Sequence, residues 1–196
     1  EVNQALYENR DLYNYDFCHQ VVERFNLKIN TSGLENVPQS GGAIFAVNHP
    51  LGGLDAMALV DTLSDVRPDI KFIVNDVLLN LKNLKGLFVG VNKLGKNSNQ
   101  SLQEVNDLFK SDNAIFVFPA GLVSRKKNGI VRDLKWKKTF ITQAKKYDKP
   151  VIPVYLNGEL SNFFYRLSNI RTALGIKLNI EMLYLVDELY KQNDKT

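Results

Sequence analysis

Ala43-Ile44-Phe45-Ala46-Val47-Asn48-His49-Pro50-Leu51-Gly52-Gly53-Leu54-Asp55-Ala56-Met57 is a short apolar run that stops at Asn48-His49-Pro50, turns on two glycines and opens a helical pattern at an acid. The run predicts a buried strand. Pro50 has no N–H to give a ladder and biases His49 away from helix. Gly52 and Gly53 allow a sharp turn and close approach of backbone to a ligand. His49 and Asp55 on one strand-to-helix turn suit general-base chemistry, the acid holding one ring nitrogen while the other takes a proton. A second reading stands beside it: Asp55 as a helix N-cap and His49 as hydrogen-bonded structure.

Outward from this turn, apolar runs alternate with helical patterns. Strands are predicted at Ile70–Val74, Leu87–Val91, Ala114–Phe118 and Val151–Tyr155, with a short alternating piece at Leu27–Asn30 and a closing alternation over Ile176–Leu185. Helical spacing covers Asp16–Phe25, Asp55–Leu63, Val77–Leu84, Ser101–Lys110, Asp133–Tyr147 and Leu160–Leu174. Strands that read as continuous apolar runs between helices predict an α/β fold, a single domain with a largely parallel, buried central sheet flanked by helices. With 196 residues and 44% apolar content the chain can bury one sizeable core. Neither a repeat nor a linker is visible.

One cysteine, Cys18, rules out an internal disulfide, and its helical setting suits a small buried residue better than a nucleophile. The longest apolar run, Ala114–Val123, is too short to span a bilayer. No signal-peptide pattern is seen, and because the chain begins at Glu1 rather than Met, a preceding segment or anchor stays open. Charge is uneven. Between Gly121 and Pro150 ten Lys and Arg oppose only Asp133 and Asp148, a local +8 in a chain of net +4. Such a run is either a solvated face or a surface for an anionic partner, whether phosphorylated ligand, acidic carrier protein, nucleic acid or lipid.

Two further stretches bear on chemistry. Gly90-Val91-Asn92-Lys93-Leu94-Gly95-Lys96-Asn97 approaches a phosphate-binding loop but ends in Asn97 where a Mg²⁺-binding hydroxyl belongs. Lys93 remains a candidate ligand for an anionic substrate. Phe118-Pro119-Ala120-Gly121-Leu122-Val123-Ser124-Arg125 ends a second buried strand on Pro and Gly, with Arg125 supplying a fork for phosphate or carboxylate. Ligands of parallel sheets sit beyond the strands' carboxyl ends, so His49 and this motif are predicted to share one crevice.

These blocks, in this order and joined by Val151-Ile152-Pro153-Val154, resemble the glycerolipid (lysophospholipid) acyltransferase superfamily over roughly residues 33–185. The family's blocks are a His/Asp block and Phe-Pro-Glu-Gly; here Ala120 replaces the Glu, and five residues rather than four separate His49 from Asp55. The pattern is nearest the bacterial hemolysin-like branch, which includes O-acyltransferases of ornithine and glycine lipids. On a regular helix the pair would point apart, so the dyad requires Pro50-Leu51-Gly52-Gly53 to be non-helical.

The resemblance implies an acyltransferase domain over 33–187, preceded by a helical segment (1–32) and followed by a polar tail (188–196). It implies His49 and Asp55 as catalytic residues. Asn48, Gly52, Gly53, Lys93, Phe118, Pro119, Ala120, Gly121, Ser124 and Arg125 would bind substrate. No metal or cofactor is implied; acyl-CoA or the thioester of an acyl carrier protein is the co-substrate and a lyso-lipid the acceptor. Location would be peripheral, at the anionic cytoplasmic face of the inner membrane, with no nucleic acid. The Trp136 helix and Asn162-Phe163-Phe164-Tyr165-Arg166 would each serve as membrane contact or as core. The alternatives are a non-catalytic anion- or nucleic-acid-binding module and a hydrolase, though no Gly-x-Ser-x-Gly elbow supports a serine nucleophile.

Overall fold

The computed structural model describes residues 4, 7–91 and 98–194. Five strands form a parallel sheet in the order β3-β2-β4-β1-β7: β1 Ala43–Val47, β2 Ile70–Asn75, β3 Phe88–Val91, β4 Ala114–Val117 and β7 Val151–Val154. β5 (Arg125–Lys127) and β6 (Ile130–Arg132) form a separate antiparallel hairpin. Among the described residues the helices with defined bounds are α1 Asn14–Arg24, α2 Gly53–Leu63, α3 Asn99–Lys110, α4 Thr139–Lys146, α5 Asn162–Ala173 and α6 Leu185–Tyr190.

Period-two alternation divides the sheet's side chains between two helical layers. Ala43, Phe45 and Val47 join Ala114 and Phe116 beneath α1 (Phe17, Cys18) and α2 (Leu59, Val60, Leu63). Ile44, Ala46, Ile115 and Val117 face α3 (Leu108, Phe109) and α4 (Phe140, Ala144). Every residue of β1 and β4 is buried, which is why both read as unbroken apolar runs.

Strand register then aligns four phenylalanines: Phe45 opposite Phe116, Phe116 opposite Phe72, Phe72 opposite Phe88. Phe45 and Phe116 stack at 4.4 Å, and Phe72 meets Phe116 at 5.1 Å and Phe88 edge-on at 6.1 Å. Such aromatic pairs add about 0.5–1.5 kcal/mol each beyond burial. At the opposite end of the sheet from the glycine turn, buried Arg67 ties the loops before β1, β2 and β4, donating to Pro38 O, Gly41 O, Asp112 O and the Asp69 carboxylate.

Several predicted elements take another form. Leu27–Asn30 has no strand partner and runs as irregular chain. Val77–Leu84 forms two 3₁₀ turns, Asp76–Asn80 and Lys82–Leu84. The predicted Asp133–Tyr147 helix begins only at Thr139, because the Asp133 carboxylate is bonded to His49 and Ser124 and the Lys137 N–H to Pro119 O, all in other segments. The Ile176–Leu185 alternation is no strand: Ile180–Tyr184 is a 3₁₀ turn leading into α6, and Leu178 and Leu183 stand exposed. The expected polar tail from 188 starts inside α6, where Glu188 is buried and accepts from Ser161 N–H and O–H. Cys18 is core, and burial pushes its thiol up to about 12, far from thiolate reactivity at neutral pH.

α1 is pinned to α2 at the surface by His19 Nδ1, 2.7 Å from Asp61 Oδ1. That bond raises the His19 pKa above its ordinary 6.5. The stabilisation is fully present below the unfolded value and vanishes as pH rises through the higher folded one. His19→Gln is therefore expected to lower the thermal midpoint slightly below the ordinary histidine pKa, and by progressively less as pH rises above it. A difference independent of pH would assign the effect to packing.

Candidate active site

The dyad turn is built from a non-helical bend. β1 ends at Val47, α2 begins at Gly53, and Gly52 between them has φ +78°. Any side chain there is strained, and a Cβ would also meet Val123 Cγ1 at 3.3 Å. This bend is what the extra residue in the His–Asp spacing required. It brings His49 Nδ1 to 2.8 Å from Asp55 Oδ2. Asp55 lies in the first turn of α2 and also accepts the N–H groups of Leu51 (3.0 Å to Oδ2) and Gly52 (3.0 Å to Oδ2). Asp55 orients His49 but is not the N-cap: Gly52 holds that position, and Asp55, third residue of the helix, reaches back to accept the Gly52 N–H. Asp55 is 1% exposed and the His49 side chain 19%. Burial raises the Asp55 pKa, opposed by the His49 bond and the two backbone N–H groups.

Phe118 forms the wall. It stacks on the His49 ring at 4.2 Å and on Phe72 at 6.2 Å, which connects the imidazole to the phenylalanine row of the core. The two motif stretches therefore meet as their strand ends predicted. Asn48 is placed as a clamp: its amide donates to Leu156 O (2.8 Å) and accepts Leu156 N–H (2.6 Å), tying the ends of β1 and β7. Pro119 and Ala120 are buried, Pro119 O accepting the Lys137 N–H. Gly121, at φ +71°, donates its N–H to Phe118 O. Gly53 faces open space at the start of α2. Lys93, with most of the phosphate-loop-like stretch, lies outside the described residues.

Ser124 and Arg125 are placed differently from expectation. Ser124 is buried, its N–H bonded to His49 O (2.8 Å) and its hydroxyl to Asp133 Oδ1 (2.5 Å). Arg125 is 5% exposed; its guanidinium donates to Val123 O and to Glu181 Oε1 (2.7 Å), with Arg171 Nε 2.8 Å from the other Glu181 oxygen. The expected substrate fork is turned inward, where it joins the hairpin to the C-terminal segment. Asp133 and Glu181 are the buried-side partners of these two residues that sequence reasoning missed. The only signal was Asp133's isolation among ten basic residues.

Beside the turn lies an apolar cavity of about 260 Å³ with Gly53 on one wall and Phe17, Met57, Leu81, Leu185 and Tyr190 among its lining. Among the described residues no group of three or more His, Cys, Asp or Glu is placed to hold a metal ion.

A parallel α/β sheet with a His/Asp pair at the carboxyl end of a central strand defines the class: an α/β protein with a general-base site at its strand ends. More specifically, the chain belongs to the acyltransferase family, whose model matches residues 1–196. It is 44% identical over its whole length to the lyso-glycine lipid O-acyltransferase of Bacteroides thetaiotaomicron and 43% identical to that of Phocaeicola vulgatus, spanning 72% and 71% of their lengths. The protein is accordingly an enzyme that transfers acyl groups, which sets aside the reading as a non-catalytic anion-binding module.

The buried Arg125–Glu181 pair yields a prediction. Removing one partner of such a pair leaves an uncompensated charge in the interior. Arg125→Ala is expected to lower unfolding free energy in denaturant by about 3 kcal/mol, Arg171 still serving Glu181. Unchanged stability with a raised acceptor KM would return Arg125 to substrate binding.

Proposed function

We propose that the enzyme moves a fatty acyl group from a thioester, of coenzyme A or an acyl carrier protein, to the hydroxyl of a lyso-lipid, of which a mono-acylated glycine lipid is favoured by the names of its relatives. The observation that carries the mechanism is the 2.8 Å contact of His49 Nδ1 with a buried carboxylate. A nitrogen facing a carboxylate bears the proton, which leaves Nε2 as the base. Nε2 takes the acceptor's hydroxyl proton as its oxygen attacks the thioester carbon. The tetrahedral intermediate expels the thiolate, which recovers that proton from His49, giving ester and thiol. Asp55 stabilises the transient imidazolium without being protonated itself.

The N–H groups of Gly52 and Gly121 are already engaged within the turn and the motif. Gly53, whose N–H belongs to the first turn of α2, is our choice of oxyanion donor. The basic 121–150 segment, which reaches the site through Pro119 and Asp133, suits the anionic carrier of the donor.

Contact with a membrane is proposed for the C-terminal segment. Leu174, Leu178, Leu183 and Val186 are exposed there, with Arg166 and Lys177 among them. Leu185 and Val186 also line the cavity that reaches Gly53, giving lipid an apolar path as far as the first turn of α2. The Trp136 stretch is less suited, since Phe140 and Ala144 are spent on the sheet. In the 162–166 stretch Phe164 and Tyr165 are core, while Asn162, Phe163 and Arg166 face out. Among the described residues no helix is long and apolar enough to cross a bilayer.

Assay with acyl thioester and a panel of lyso-lipids tests the chemistry: His49→Ala should reduce kcat by about 10²-fold or more, and retained turnover would overturn the general-base role. In cosedimentation with vesicles containing anionic lipid, Leu178→Glu combined with Leu183→Glu should release most of the bound protein. Unaltered binding would place the membrane face elsewhere.

A further inference from the structure

Three donors converge on Asp133, two from other segments and one from its own. Oδ1 accepts the His49 N–H at 3.1 Å and the Ser124 hydroxyl at 2.5 Å, and Oδ2 accepts the Trp136 indole N–H at 2.7 Å. His49 lies just past β1, Ser124 in the motif after β4, and Asp133 itself just past the β5–β6 hairpin. The His49 carbonyl is also taken, by the Ser124 N–H at 2.8 Å. Both backbone polar groups of His49 are thus held by this second cluster, while its ring is held by Asp55. The two carboxylates act on different parts of one residue.

We infer that Asp133 is a positioning residue for acyl transfer: by fixing the His49 backbone against the 118–124 motif it sets where Nε2 meets the acceptor hydroxyl. The inference rests on the general-base reading of His49. Its physical basis is the steepness of proton transfer with geometry, since a displacement of about 1 Å at the reacting atoms can lower rate ~10²-fold. Asp55 constrains the ring's tautomer and plane, Asn48 is clamped to Leu156 and the His49 carbonyl is held by Ser124, so what remains to be fixed is the His49 N–H and the Ser124 hydroxyl, and Asp133 takes both. A charge-assisted acceptor shared by three donors is stiffer than a backbone turn. Sheet packing does not do this work, because β1 ends at Val47 and His49 lies beyond its ladder.

The cluster contains its own reporter, because Trp136 is the sole tryptophan and its indole is bonded to the carboxylate in question. Asp133→Ala removes all three acceptor bonds. Asp133→Asn keeps one oxygen for His49 and Ser124 but turns an NH₂ group toward the indole. Trp136→Phe removes the indole bond alone.

The expected pattern is a kcat about 10- to 100-fold lower in Asp133→Ala at nearly unchanged KM. Asp133→Asn and Trp136→Phe should each keep kcat within about threefold, while Asp133→Asn shifts Trp136 emission. A kcat within about threefold of wild type in Asp133→Ala, or a loss confined to KM, would overturn the proposal. If Asp133→Ala does not fold, Asp133→Glu carries the test, its acceptor displaced by one methylene: kcat equal to wild type overturns it, and a loss of about tenfold in a protein of native melting temperature supports it. If wild type transfers no acyl group to any acceptor, the general-base reading fails. The positioning claim is then judged by backbone amide exchange, which should accelerate at His49 in Asp133→Ala; unchanged protection of that amide overturns it.

Discussion

Everything at the site depends on keeping the Asp55 carboxylate almost wholly out of water. An isolated buried carboxylate is strongly unfavourable, and this one persists because the Leu51 and Gly52 N–H groups and the His49 ring crowd around it. That demand shapes the local chain. Two consecutive N–H groups can aim at one oxygen only if the backbone bends at Gly52, and the bend places α2 where its first turn contributes a favourable dipole. The helix start, the left-handed glycine and the orientation of the imidazole are one solution to one desolvation problem. The raised pKa of Asp55 follows from the same burial.

The sheet serves this arrangement by rigidity. A row of phenylalanines crosses four strands in register, and Phe118 continues it to the face of His49. The imidazole therefore leans on the best-packed part of the molecule. Asn48 closes the remaining flank by joining β1 to the end of β7. The basic hairpin and the loop after it are attached to this frame through Asp133 and through Lys137, so the positively charged surface and the dyad share a common support.

Fold and dyad were legible because both are written locally. Continuous apolar runs separated by helical spacing identify a buried parallel sheet, and Pro-Leu-Gly-Gly between His49 and Asp55 announces a bend whatever its surroundings. What escaped is non-local. Asp133 looked like the start of a helix because nothing nearby reveals that its acceptors face His49, 84 positions away. Arg125 looked like a substrate fork because Glu181, 56 positions on, is invisible to any short window. Ile176–Leu185 alternated like a strand but joins neither edge of the sheet; the segment turns as a 3₁₀ helix and folds back on α5 and α6 instead.

Among the described residues β7 has a neighbour on one side only, and its middle is Pro153. Proline is tolerated in a sheet where its nitrogen faces away from the ladder, which is the situation of an outer strand. The free border of β7 therefore lacks a donor at its centre, and a foreign strand laid along it would meet a gap. The sheet is thus protected against growth on the flank nearest Asn48, where an added strand would crowd the chain leading into the dyad.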